Sequence, residues 1–276
     1  MDEKRNKFLS NKGFMIFAVL ALLIVLSSIF APAICHGVDP TKGELADAIM
    51  APSGEHPFGT DKMGRDIFAR VIYGSRTSLV STFALVLTIF VIGTFLGILA
   101  GYFGGVVDAV IMRIADMMIA FPGLVLAIAV AGMLGASTKN AIIAISVVSW
   151  PKYARLARSL VMKIRHTDFV AAAKVTGSRT PYMLWKYMLP NTITTLVITA
   201  ATDIGSMMME LAALSFLGFG AQAPTPEWGS MLNEGRNFMQ SAPWMMIYPG
   251  LAIFITVVIF NMLGDNLRDI LDPKTE

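Results

Sequence analysis

The sequence predicts an all-α, polytopic membrane protein of six transmembrane helices, and three observations predict it. Of the 276 residues, 55% belong to the hydrophobic set and only 15% are charged, against roughly 25% charged in an ordinary soluble domain. The apolar residues stand in long uncharged runs of the length a bilayer requires. The single cysteine, Cys35, and the three histidines supply neither an internal disulfide nor a metal cage, so stability falls to helix packing. This composition excludes a soluble enzyme. The net charge of +3, from 22 basic and 19 acidic residues, gives no reason to expect nucleic acid as a partner.

The spans follow in order. Residues 1–13 read as a short basic N-terminal segment, carrying Lys4, Arg5, Lys7 and Lys12. Phe14 to Ile34 is uncharged over 21 residues, about 31 Å as a helix, and forms the first span at 14–34. Its length exceeds the apolar core of a signal peptide, which makes it an anchor. An outer loop, 35–77, comes next. The core at 78–264 then holds five helices. Thr77 to Val107 supplies the second span, where Gly93, Gly97 and Gly101 recur every four residues and let another helix backbone come close. Met117 to Thr138 is the third, with Phe121, Pro122 and Gly123 expected to bend it.

The fourth span begins at Asn140 and reaches Lys152 after 12 uncharged residues, so Lys152, Arg155 and Arg158 are placed near its inner end with their stems snorkelling to the interface. Tyr187 to Phe219 is the fifth, interrupted by Asp203 and Glu210, and Asn237 to Gly264 the sixth. Loop 220–245 lies outside and tail 265–276 inside. With the N-terminus inside, 15 of the 22 Lys and Arg residues fall on the inner side, which makes both termini cytoplasmic.

The long inner loop, 165–190, carries the specific pattern. Asp168 can cap a short helix bearing Phe169, Ala172 and Ala173 on one face, and Gly177 suits the left-handed position that ends it. Thr180 then caps a second helix with Pro181 in its first turn, and Pro190 restarts the chain into the fifth span. On these grounds the unit is either a connector or a docking surface for a soluble partner.

The same stretch resembles the EAA loop of ABC-importer membrane subunits. The family pattern EAA-x3-G-x9-I-x-LP aligns with Ala171, Ala172, Ala173, Gly177, Tyr187, Leu189 and Pro190, with Ala171 in place of the glutamate and Tyr187 in place of the isoleucine. HPFGTDKMGRDIFARVIYGSRTSL from His56, ALSFLGFGAQAPTPEWGSML from Ala213 and GDNLRDILDP from Gly264 are similar to the second permease of the dipeptide, oligopeptide and nickel branch. The resemblance implies the transmembrane domain of a type I ABC importer in a prokaryotic cytoplasmic membrane. It implies a homologous permease as partner, two cytoplasmic ATP-binding subunits and an extracytoplasmic substrate-binding lipoprotein. The EAA-loop positions, with Asp168, would couple to the ATPases. ATP and Mg would reside on those subunits, and this chain would bind no cofactor. Consistently, no GxxxxGK[ST] phosphate loop occurs.

Asp203 and Glu210 are seven residues apart and so share a helix face within the fifth span, which makes both candidates for the translocation path. Either could instead pair with a cation. Met207, Met208 and Met209 are consecutive and cannot share a face, so they read as packing rather than a soft-metal site. A secondary transporter or channel would require matching inverted repeats with broken helices, and no such pairing is found. An intramembrane hydrolase would need a GxSxG or HExxH motif, and neither occurs. The substrate, peptide or nickel, stays open at this level.

Overall fold

A computed structural model of the chain describes residues 11–271. The basic residues Lys4, Arg5 and Lys7, Lys274 and the C-terminal Glu276 lie outside the described residues. The helices are α1 (Lys12–Ile29), α2 (Ala31–Ile34), α3 (Ile67–Phe103), α4 (Gly105–Ile119), α5 (Gly123–Leu134), α6 (Thr138–Ile164), α7 (Asp168–Val175), α8 (Thr180–Met183), α9 (Leu189–Phe216), α10 (Trp228–Gly235) and α11 (Trp244–Leu271). Among the described residues the one extended feature is an isolated bridge between Thr60 and Asp66.

Among the described residues, four helical stretches are long and apolar enough to cross a membrane, and α4 with α5, bent by 94° at their junction, makes five if taken as one span. α6 has 27 residues, about 40 Å, but carries internal cations. The expected boundaries shift accordingly. The outer loop expected at 35–77 gives up its end to α3, which starts at Ile67, where Asp66 caps the Ala69 amide at 2.7 Å. The third span, expected to be one bent helix, is two helices at nearly a right angle, because Pro122 cannot donate to the ladder and serves as the N-cap of α5. Loop 220–245 contains α10.

The core is built on the seam between α3 and α6. A methyl group on Gly93 would stand 2.5 Å from Tyr153 Cβ, one on Gly97 would collide with the Ala154 carbonyl and lie 2.7 Å from Ala157 Cβ, and one on Gly101 would lie 2.8 Å from Val161 Cβ. The glycine stripe lies against the backbone and Cβ atoms of the facing helix, so the two helices approach closely. A second apolar cluster joins α1, the start of α3, α10 and α11. Met207 belongs to the first cluster and Met208 to the second, so neighbouring methionines on α9 face different cores.

At the α10 end, opposite the 165–190 loop, the polar groups are buried and paired. Arg65 donates through Nε to Asp61 Oδ2 and through Nη2 to Glu234 Oε2, both at 2.6 Å, and Arg70 Nη2 reaches Glu234 Oε2 at 3.0 Å. Phe58 stacks on Tyr248 with centroids 3.9 Å apart. Trp228 donates its indole N–H to the Val71 carbonyl at 2.9 Å. Glu227 caps α10 by accepting from the Gly229 and Ser230 amides at 2.8 and 2.9 Å, and burial pushes its carboxyl above the usual range despite those bonds. Arg76 Nη2 donates to the Ile29 carbonyl at 2.6 Å, closing the C-terminus of α1.

Candidate functional site

Two places in the structure combine unusual chemistry with an open surface. The first is the 165–190 loop. Its first helix, α7, has Thr167 as N-cap, and Asp168 stands exposed in the first turn rather than at the cap, where its charge still suits the helix N-terminus. Val170 and Ala173 are buried in the main core while Phe169, Ala171, Ala172 and Val175 are exposed. Ala173 therefore lies on the inner face of α7 and not on the face expected to carry it with Phe169 and Ala172. The three-residue spacing of Val170 and Ala173 decides this.

Gly177 follows the helix with φ +82°. Its amide bonds to the Lys174 carbonyl and the Ser178 amide to the Ala173 carbonyl, both at 3.0 Å. This closing motif needs a left-handed residue, and a side chain there strains the backbone although the space around it is open.

Thr180 is the first residue of α8, with Arg179 as its N-cap. The expected restart at Pro190 does not occur. The helix runs on from Thr180 to Phe216, through a π turn at Leu184–Met188 in which the Leu189 amide reaches the Leu184 carbonyl. That wider turn absorbs the proline, whose ring and missing N–H would break a regular ladder. Tyr187 is half-buried, its ring 6.2 Å from Phe169 and 6.0 Å from Tyr182. Leu189 is half-buried and Pro190 exposed.

The loop therefore presents a firmly seated inner face and an apolar outer one. Val175 is 88% and Trp185 72% exposed. Arg165 ties the unit to α3 by donating to the Gly101 carbonyl at 3.0 Å and the Tyr102 carbonyl at 3.3 Å, satisfying the orphan acceptors of a helix C-terminus. Lys174 sits 5.7 Å above the Tyr102 ring. The loop is thus mechanically joined to α3.

The second place is Asp203, halfway along α9. Its Oδ1 accepts from Lys152 Nζ at 2.6 Å and its Oδ2 from the Tyr153 hydroxyl at 3.0 Å. Lys152 lies mid-way along α6, and all three cations expected near its inner end are paired with acids. Arg155 pairs with Asp116 at 2.5 Å, and Arg158 Nη2 with Asp108 at 2.6 Å, so α4 supplies counter-charges to the basic flank of α6. Glu210 is half-buried, two turns farther toward α10.

Sequence reasoning found Asp203 but missed its partners. The signal was present: a lysine and an aspartate each isolated in an apolar stretch are costly alone and cheap together. Arg165 and the Arg65, Arg70, Glu234 network left no such signal, since charges near helix ends need no special explanation.

With that geometry in place, the comparisons with known proteins are specific. Residues 93–276 match the family described as binding-protein-dependent transport system inner membrane component. The dipeptide transport system permease protein DppC of Alkalihalophilus pseudofirmus is 44% identical over 264 residues, covering 96% of this chain and 86% of that protein. The nickel transport system permease protein NikC of Escherichia coli K12 is 40% identical over 273 residues, covering 97% of each. Among solved structures, an inward-facing form of the MetNI methionine ABC transporter aligns with TM-score 0.59 at 19% identity, over 74% of this chain and 97% of that one.

Proposed function

The chain belongs to the binding-protein-dependent transport system inner membrane components; it is a multi-pass permease subunit of an ABC importer and not an enzyme, and from that premise we propose how it assembles, faces and couples. Six spans cross the membrane, with α4 and α5 forming one broken span and α6 another whose cations are neutralised within the chain. The 165–190 loop and both termini face the cytoplasm, in keeping with 15 of 22 basic residues on that side. A homologous permease completes the translocation path, two ATP-binding subunits hold ATP and Mg, and an external lipoprotein delivers a di- or oligopeptide or nickel.

The observation that carries this reading is the exposed apolar face of the loop above a buried one. Val175 is 88% and Trp185 72% exposed, and an apolar surface of this kind on a loop read as facing the aqueous side calls for a protein partner. Asp168, Ala171, Ala172 and Gly177, with Tyr187, Leu189 and Pro190 at the root of α9, transmit the partner's motion, while Val170 and Ala173 hold α7 to the core. The Arg165 clamp passes the displacement to α3, and the pairing of Asp203 with Lys152 passes it between α9 and α6.

The test is Gly177→Val in the reconstituted complex. The variant should insert normally and bind its ATPases poorly or fail to transmit their cycle, with transport lost. Wild-type coupling in that variant would show that the loop is only a connector.

A further inference from the structure

Asp203 shares its helix with a longer polar feature. Along α9, Thr195, Thr199, Thr202, Ser206 and Glu210 recur at intervals of four and three residues, and none of them is buried. At 100° per residue they fall within an arc of about 80°. Thr199 donates to the Thr195 carbonyl, Thr202 to the Thr199 carbonyl and Ser206 to the Asp203 carbonyl, each at 2.9 Å. Their protons are spent inside the helix, so the open surface offers acceptor lone pairs. With the carboxylate of Glu210 at one end, such a stripe is disfavoured against lipid tails and faces either water or protein.

Beside it stands a cation. The Lys152 side chain is 58% exposed, although its Nζ is held by Asp203, which is itself only 8% exposed. One of the three ammonium protons is engaged. Glu210 has neither a hydrogen bond nor an ion pair to another of the described residues, and its position is about 10 Å along the axis from Asp203.

We propose that Lys152 and Glu210 are the two charged contacts of an intramembrane subsite for a short zwitterionic peptide, Lys152 taking its carboxylate and Glu210 its ammonium. The inference rests on the permease reading and names the substrate class for it. About 10 Å corresponds to about three residues of extended chain at 3.3–3.6 Å each. Ser206 lies between the two charges, with Thr202 level with Lys152, and the two hydroxyls present acceptors to the peptide N–H groups. A bare divalent cation meets a worse match here, since the carboxylate at mid-height is already paired with an ammonium.

The experiment is ATP-driven uptake by the complete importer in proteoliposomes, with the binding protein saturated in turn by trialanine, trialanine amide and N-acetyl-trialanine. The wild type should favour trialanine over the amide by about tenfold, the range expected for one charge-assisted contact. Lys152→Arg should keep that preference, and the neutral pair Lys152→Met with Asp203→Asn should bring the ratio near one. Glu210→Gln should erase the preference over the N-acetyl peptide alone.

Retention of the acid-over-amide ratio in the neutral pair overturns the proposal. A second measurement leaves both charges in place: with Cys35→Ser as background, Thr202→Cys and Ser206→Cys should react with a membrane-impermeant maleimide and be protected by trialanine. Absence of labelling at both means that the stripe is covered by a neighbouring subunit and overturns the subsite. No wild-type uptake of any of the three peptides would instead defeat the peptide-permease reading, and this inference with it.

Discussion

The two ends of the molecule are built on opposite principles. At the α10 end, charges and aromatic rings are turned inward: Asp61, Arg65, Arg70 and Glu234 neutralise one another, Phe58 stacks on Tyr248 and Trp228 bonds the Val71 carbonyl. At the loop end the charges hold helices together from the flank, and apolar rings and Val175 are turned outward. The first end satisfies its charges within the chain; on the proposed reading the second is completed by an ATPase subunit. On that reading one sequence separates a part that sets its own stability from a part that serves the complex.

The difference predicts a graded series of effects on the isolated permease. Glu234→Ala should be the most damaging, because it strips two buried arginines of a shared partner, and such a loss costs about 3–5 kcal/mol. Thermal unfolding in detergent should report it, and ATPase binding should fall only as far as folded protein does. Gly97→Leu in the middle of the chain should cost about 1–3 kcal/mol by forcing α3 away from α6. It should also weaken transport, since the seam links both ends.

At the loop end, Gly177→Ala should cost no more than about 1 kcal/mol, the penalty for a small side chain at positive φ. Its effect on ATPase stimulation should be milder than that of the valine variant. A large loss of stability there would show the loop to be part of the core, against the comparison.

The same contrast explains what could be read in advance. Long uncharged runs and the four-residue glycine stripe made the membrane class and one face of the seam legible, because both are properties of a contiguous segment, while the facing helix came only with the fold. Gly177 was legible for the same reason: a left-handed turn has few acceptable residues. Helix ends were less legible. The chain begins α3 at Ile67 and not near Thr77 because Asp66 caps it and its charged first turns are neutralised by residues about 165 positions away. The π turn before Pro190 and the inward orientation of Ala173 likewise depend on packing partners that local pattern does not contain. Asp203 drew attention by being charged in a span, but only the fold brought Lys152 and Tyr153 to it.

The smallest effect on stability should coincide with the largest effect on assembly. Replacing Val175 and Trp185 together by serine changes two exposed side chains, which ordinarily shifts folding stability by no more than about 0.5 kcal/mol each. Co-purification of the ATPase subunits with this variant, measured beside its unfolding temperature, is the most direct test. The account predicts an unchanged unfolding temperature with the ATPases lost. Wild-type ATPase retention with full transport would contradict it.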